Sequence, residues 1–177
     1  IYEAAAENLH QERLLTAEHL SLAITAELQQ LQMPQAKFQV VLEKGVAKAE
    51  GFDQVVFMVQ PNPGEGLLPV AKIASGGEMS RMMLAIKMIL AKLDQVPTLI
   101  FDEIDTGLGG IALVSVAEKL KQISHYTQVI CVTHAPVLAA YANHNLYVEK
   151  MQEGERTITT VSVLNETKKL TEICRML

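Results

Sequence analysis

The stretch that most limits the fold is Thr98-Leu99-Ile100-Phe101, which runs straight into Asp102-Glu103. A short apolar run of this kind predicts a strand buried on both faces. A second run, Gln128–Thr133, ends at His134 in the same way. Between the two lie a glycine-rich turn (Gly107, Gly109, Gly110) and a helical pattern near Ile111–Ile123. Another helical pattern precedes the first run, so strands and helices alternate. That order predicts a parallel α/β sheet with its acidic and imidazole groups at the carboxyl edge, where open α/β sheets gather ligands.

The preceding helix is marked by Met79, Met82, Met83, Ile86, Ile89, Leu90 and Leu93, and Val96-Pro97 breaks it. Residues 1 to about 33 contain neither Gly nor Pro. Leu9, Leu20, Ile24, Leu28 and Leu31 recur there at helical steps, which predicts an amphipathic helix ended by Pro34. Alternation at Phe38, Val40, Leu42 and at Val55, Phe57, Val59 predicts two antiparallel strands, with Gly45 and Gly51 between them. Residues 61–66 are a loop by composition. Downstream, Pro136–Ala142 reads as a short helix. Leu146–Glu149 and Thr157–Val163 read as a hairpin joined through 152–155, and Asn165 as the cap of a last helix.

The chain has 177 residues and a net charge of −5, so the whole is no obvious nucleic-acid clamp. Cys131 and Cys174 show no metal-ligand spacing. No apolar run reaches transmembrane length and no signal-peptide pattern is present, so the expected setting is cytoplasmic, away from any membrane. The chain opens at Ile1 inside a helical pattern, and the expectation is a piece of something longer.

Three groups carry candidate chemistry. In Ser75-Gly76-Gly77-Glu78, Ser75 and Glu78 fit a capping box. The box does not need the glycines, each of which costs a helix interior about 1 kcal/mol against Ala. Residues without Cβ at a helix N-terminus let a ligand approach the backbone, and the free N–H groups favour a phosphate-like anion. At the first strand exit, Asp102 suits a hydrated Mg²⁺ and Glu103 suits a water-polarising base; the alternative is a polar exit into a turn. His134 suits a hydrogen bond to a terminal phosphate or to an attacking water; the alternative is a satisfied structural residue.

Taken in order, these are SGGE with its helix, an apolar strand ending in Asp-Glu, Asp105-x-Gly107, and a strand ending in Thr-His. That order resembles the carboxyl-terminal half of an ABC-type ATPase head. The stretches NPGEGLLPVAKIASGGEMSRMMLAIKMIL, TLIFDEIDTG and QVICVTHAP are similar to the RecN branch of the SMC-like ATPase family. Departures from the wider ABC pattern are Ala74 and Glu78 in the signature, Leu108-Gly109-Gly110-Ile111 after Asp105, and Ala135-Pro136-Val137 after His134.

The resemblance implies an incomplete P-loop NTPase fold that uses ATP and Mg²⁺. It makes Ser75, Gly76, Gly77 and Glu78 the signature, which closes over ATP held by a second, identical head. Asp102 becomes the Walker B metal-side acid, Glu103 the catalytic carboxylate, Asp105 the D-loop residue at the nucleotide, and His134 the switch histidine. Residues 1–34 become the base of a returning coiled-coil arm, and 35–177 the lobe itself. No G-x-x-x-x-G-K-[ST] run occurs in the chain. The resemblance places that loop in the amino-terminal half of the same head, so this chain alone is expected to be inactive. A role in DNA double-strand break repair and recombination, with DNA reached through the full-length protein near the nucleoid, is likewise implied only by the resemblance. Alternatives are the equivalent lobe of another SMC- or Rad50-like ATPase, and a non-catalytic phosphate-binding or docking module.

Overall fold

The structure is a computed structural model that describes residues 1–73, 75–90, 93, 96–153 and 156–177. Ala74 of the expected signature, residues 91–92 and 94–95 at the expected end of its helix, and residues 154–155 of the expected hairpin link lie outside the described residues.

The chain opens with α1, Tyr2–Gln30. Its buried face is Ala6, Ala17, Ile24 and Leu28, while Leu9, expected on that face, is exposed. The helix stops ahead of Pro34. Leu31 and Met33 turn their N–H groups back onto Leu28 O, and Gln32 takes a left-handed φ of 60°. A C-terminal left-handed residue satisfies the last carbonyls without needing the proline.

Two long strands follow, β1 (Lys37–Lys48) and β2 (Gly51–Gln60), antiparallel with Phe38 opposite Val59 and Val40 opposite Phe57. Gly45 falls inside β1 and Gly51 begins β2, so neither glycine lies between the strands as alternation suggested. The pairing continues past Lys44 through an irregularity ending at Lys48 and Gly51, which charged and small residues conceal in the sequence. Polar latches fix α1 along this hairpin. Ser21 Oγ accepts from Val40 N at 2.9 Å and Thr25 Oγ1 accepts from Phe38 N at 3.0 Å. Nearer the amino terminus, Asp53 accepts from Arg13 Nη1 at 2.9 Å and meets His10 Nδ1 at 2.6 Å. A two-residue strand β3 (Leu68–Pro69) joins β2, and a 3₁₀ turn, Val70–Lys72, leads toward the next helix.

That helix, α2 (Gly76–Leu90), is followed by β4 (Thr98–Asp102), α3 (Ile111–Ile123) and β5 (Gln128–Val132). β4 and β5 pair in parallel, with Phe101 opposite Cys131 and Asp102 opposite Val132. Sequence patterning anticipated this strand–helix–strand unit. It overstated the burial, because Phe101 is buried but Ile100 is 68% and Val132 57% exposed. Residues of α2 and α3 join Phe101 in the core, while Ile100 and Val132 are left largely exposed. A continuous apolar run cannot tell these cases apart, since each residue is apolar whichever face is packed.

The chain closes with α4 (Pro136–Tyr141), an antiparallel hairpin of β6 (Leu146–Glu153) and β7 (Arg156–Val163), and α5 (Glu166–Met176). Asn165 caps α5 by accepting from Lys168 N at 2.9 Å. One core joins α1 to the α/β unit: Leu28 and Leu31 meet Met82, Ala85, Phe101 and Val116 in a single buried cluster. α2 is therefore held by α1 at its back, which fixes where its amino-terminal end points.

Candidate functional site at the exits of two parallel strands

β4 delivers Asp102 and then bends sharply. Glu103 sits at φ 56°, one of two described non-glycine residues in the left-handed region. That conformation costs roughly 1 kcal/mol or more for an L-residue, so the surroundings must hold it. Three local features do. Thr106 N donates to Glu103 O at 3.1 Å, Ile104 is fully buried beneath the turn, and Asp105 is buried beside it. Asp102 and Glu103 themselves stay exposed.

The amino-terminal end of α2 stands against this turn. Ser75 Oγ accepts from Glu78 N at 3.4 Å, so the cap read from the sequence is present though long. The glycines have a separate reason. A Cβ on Gly76 would collide with the Glu103 carboxylate, and one on Gly77 would lie 3.0 Å from Glu103 O and 3.2 Å from Thr106 Cβ. Close approach of the turn's backbone therefore requires glycine at 77, whereas at 76 the neighbour is the movable Glu103 carboxylate. Farther along, Ser80 Oγ donates to Asp102 O at 2.6 Å and Arg81 Nη1 donates to Thr106 O at 3.1 Å. Arg81 is buried, and burial lowers its pKa against the opposing pull of Glu78.

The exit of β5 is tied to the same turn through Asp105. Its Oδ2 accepts from Thr133 Oγ1 at 2.5 Å and from His134 N at 3.2 Å, and lies 3.4 Å from His134 Nδ1. Thr133 Oγ1 in turn accepts from Ala135 N at 2.9 Å. The His134 side chain is 87% exposed, held at its base and free at its tip. Beneath it, burial pushes the Cys131 thiol up to about 12, with the Asp105 and Asp102 charges adding to the effect. Cys131 is a protonated packing residue.

All the residues singled out in the sequence therefore gather around one acidic turn. Ser75, Gly76, Gly77 and Glu78 approach it from α2, and His134 is joined to it from β5. Asp105 differs in kind: its carboxylate faces inward onto the β5 exit. Four residues of the site escaped the sequence reading: Ser80, Arg81, Thr106 and Thr133. Arg81 left one signal, a charge beside Met82 and Met83 in an otherwise apolar stretch.

No family model matches the chain. Curated relatives do. It is 39% identical over 178 residues to the DNA repair protein RecN of Vibrio cholerae serotype O1, covering 99% of this chain and 32% of that protein. The chain is RecN-like in sequence. The RecN of Treponema pallidum (40% over 176 residues, 96% and 31%) and of Streptomyces coelicolor (39% over 185 residues, 97% and 32%) agree. The chain thus spans about a third of the length of the RecN proteins it matches, and it corresponds to their carboxyl-terminal part.

Solved structures place this RecN-like segment in the fold of SMC heads. An Smc head domain with a coiled coil and joint from Pyrococcus yayanosii matches with a TM-score of 0.65 at 23% identity, over 93% of this chain and 30% of that one. A chain from a study of ATP-driven dimerization and DNA-stimulated activation of SMC ATPases matches at 0.55 and 24%, over 93% and 96%. An SMC head bound to the C-winged helix domain of ScpA matches at 0.59 and 25%, over 89% and 46%. The α/β class and the incomplete ATPase-head lobe expected from the motifs are the fold that this RecN-like chain has.

For the Mg²⁺ and ATP that such heads imply, the residues present fit in part. Exposed Asp102 and Glu103 at a strand exit are oxygen donors suited to a hydrated hard cation. Among the described residues no group of three or more His, Cys, Asp and Glu side chains is placed to hold a metal ion. No lysine-bearing phosphate loop exists in the sequence. Among the described residues no helix is long and apolar enough to cross a membrane.

Proposed function

We propose that this chain is the carboxyl-terminal lobe of an ATP-hydrolysing head within a longer RecN-like protein acting in DNA double-strand break repair and recombination. The observation that carries the reading is the acidic turn of Asp102–Thr106, on which the SGGE helix and the His134 strand both converge. A docking module needs only the capped helix; it does not need two exposed carboxylates and an imidazole around the same point.

ATP supplies the cleaved phosphoanhydride and Mg²⁺ the charge that neutralises its oxygens. Asp102 would hold the cation. Glu103 accepts the proton of the attacking water, and the exposed His134 ring hydrogen-bonds the terminal phosphate. The amino-terminal half of the same head contributes the phosphate loop and its lysine. Ser75, Gly76, Gly77 and Glu78 present the positive end of α2 to ATP on a second head, so nucleotide joins two copies. Asp105 serves the nucleotide through His134 and the turn. In this reading residues 1–34 are the base of a coiled-coil arm and 35–177 the lobe. The setting is the cytoplasm near the nucleoid, with DNA contacted by the full-length protein.

The test is ATP-dependent self-association of the full-length protein. Ser75→Arg places a bulky cation where phosphate is to dock. It is expected to abolish the ATP-induced dimer on sizing while monomers still bind ATP. Undiminished ATP-induced association in Ser75→Arg contradicts the assignment of the signature.

A further inference from the structure

Arg81 is 7% exposed, and its guanidinium lies between α2 and the acidic turn. Nη1 reaches Thr106 O at 3.1 Å and stands 3.3 Å from where a Cβ on Gly77 would be. Nε is buried with no hydrogen-bond partner, and the opposing charge that acts on the guanidinium is Glu78 on the same helix, whose pull is outweighed by burial. A cation whose burial outweighs its opposing charge is costly, and an apolar side chain of similar length would fill the site more cheaply. Packing alone therefore does not account for an arginine here.

Its geometry does. Ser80 and Arg81 are consecutive on α2, and they donate to the two ends of the turn, Asp102 O and Thr106 O. Between those anchors sits Glu103 in its left-handed conformation. Ser80 holds the strand side, and Arg81 holds Thr106, whose own N–H closes the turn onto Glu103 O at 3.1 Å. A carbonyl hydrogen bond from a charged donor is also stronger than one from a neutral group.

We infer that Arg81 is a positioning residue, which locks the Glu103 turn to the amino-terminal end of α2 and so sets where the Glu103 carboxylate points. The functional side of this inference rests on the reading of Glu103 as the water-activating carboxylate. Any displacement of α2 is carried to Glu103 through Thr106, so docking at the signature and the acid share one rigid link.

The test uses Arg81→Met and Arg81→Lys in the full-length protein, with two readouts. The first is hydrogen exchange at the turn amides, Thr106 N and Leu108 N, which bond to Glu103 O and Asp105 O. The second is ATP turnover, separated into kcat and KM. Arg81→Met is expected to speed exchange at both amides at least about tenfold while α3 amides stay protected. It is expected to lower kcat by a similar factor with KM within about twofold, and Arg81→Lys to fall between. Exchange unchanged at both amides overturns the inference, as does faster exchange with undiminished kcat. If Arg81→Met also loses α3 protection, Arg81→Lys decides by the same criteria. If the unaltered protein hydrolyses no ATP, the catalytic reading of Glu103 fails separately, and the exchange readout alone decides whether Arg81 holds the turn.

Discussion

The carboxylate of Glu103 occupies the space that a side chain on Gly76 would need. The two residues come from the start of α2 and the end of β4, and they meet because the helix runs back over the strand. The obstacle to a larger residue at 76 is the far end of a flexible acid, which can swing away. Gly76→Ala is therefore expected to leave stability unchanged, or to raise it by a few tenths of a kcal/mol through helix propensity. Turnover by the full-length protein should fall at least about tenfold as Glu103 is displaced. Thermal melts and ATPase rates on one preparation separate the two effects.

Gly77→Ala should behave differently. Its Cβ would press on Glu103 O and Thr106 Cβ, which are backbone and near-backbone atoms. Overpacking of that kind costs about 1–3 kcal/mol. Denaturant midpoints should therefore rank Gly77→Ala below Gly76→Ala, and equal midpoints contradict the packing described here.

Asp105→Ala removes the acceptor shared by Thr133 Oγ1 and His134 N. Leaving such part-buried donors unpaired costs about 1 kcal/mol, the low end of the range for fully buried groups. A urea titration should show that loss. Thr133→Val, which keeps the shape and removes one donor, should lose less.

The strand–helix–strand unit, the hairpin of β1 and β2 and the cap at Asn165 were legible in the sequence, because each rests on local periodicity or on one side chain bonding its own helix. The chemistry at Asp102, Glu103 and His134 was legible as candidates for the same reason: strand ends are easy to locate. The arrangement was not. Gly76 and Gly77 looked like room for a ligand, and the structure adds a nearer cause, the approach of Glu103 from a segment far along the chain. Asp105 looked like a residue facing nucleotide and is turned onto Thr133. Ile100 and Val132 were expected inside and are exposed, since apolar character does not say which neighbours a strand has.

The pH response has a local origin at Asp53. Burial raises its pKa, but hydrogen bonds from Arg13 and His10 outweigh that and hold the carboxyl below its ordinary value of 3.8. A lowered folded-state pKa stabilises the fold above the unfolded value, and that contribution is lost as pH falls through the folded one. Asp53→Asn should lower Tm by a few degrees at neutral pH. The gap from the unaltered chain should hold down to about pH 4 and close below it. A gap that widens on acidification contradicts the link between α1 and the hairpin.

The central claim is that this chain supplies the hydrolytic carboxylate of an ATPase head, and turnover by a reconstituted head tests it most directly. This chain is mixed with the separately expressed amino-terminal half of the longer protein, and phosphate release from ATP is followed, with Glu103→Gln alongside. The account predicts no turnover by either part alone, turnover in the mixture, and loss of at least about a hundredfold in the Glu103→Gln mixture. Turnover that survives Glu103→Gln contradicts it, as does an inactive mixture whose parts are folded and associated.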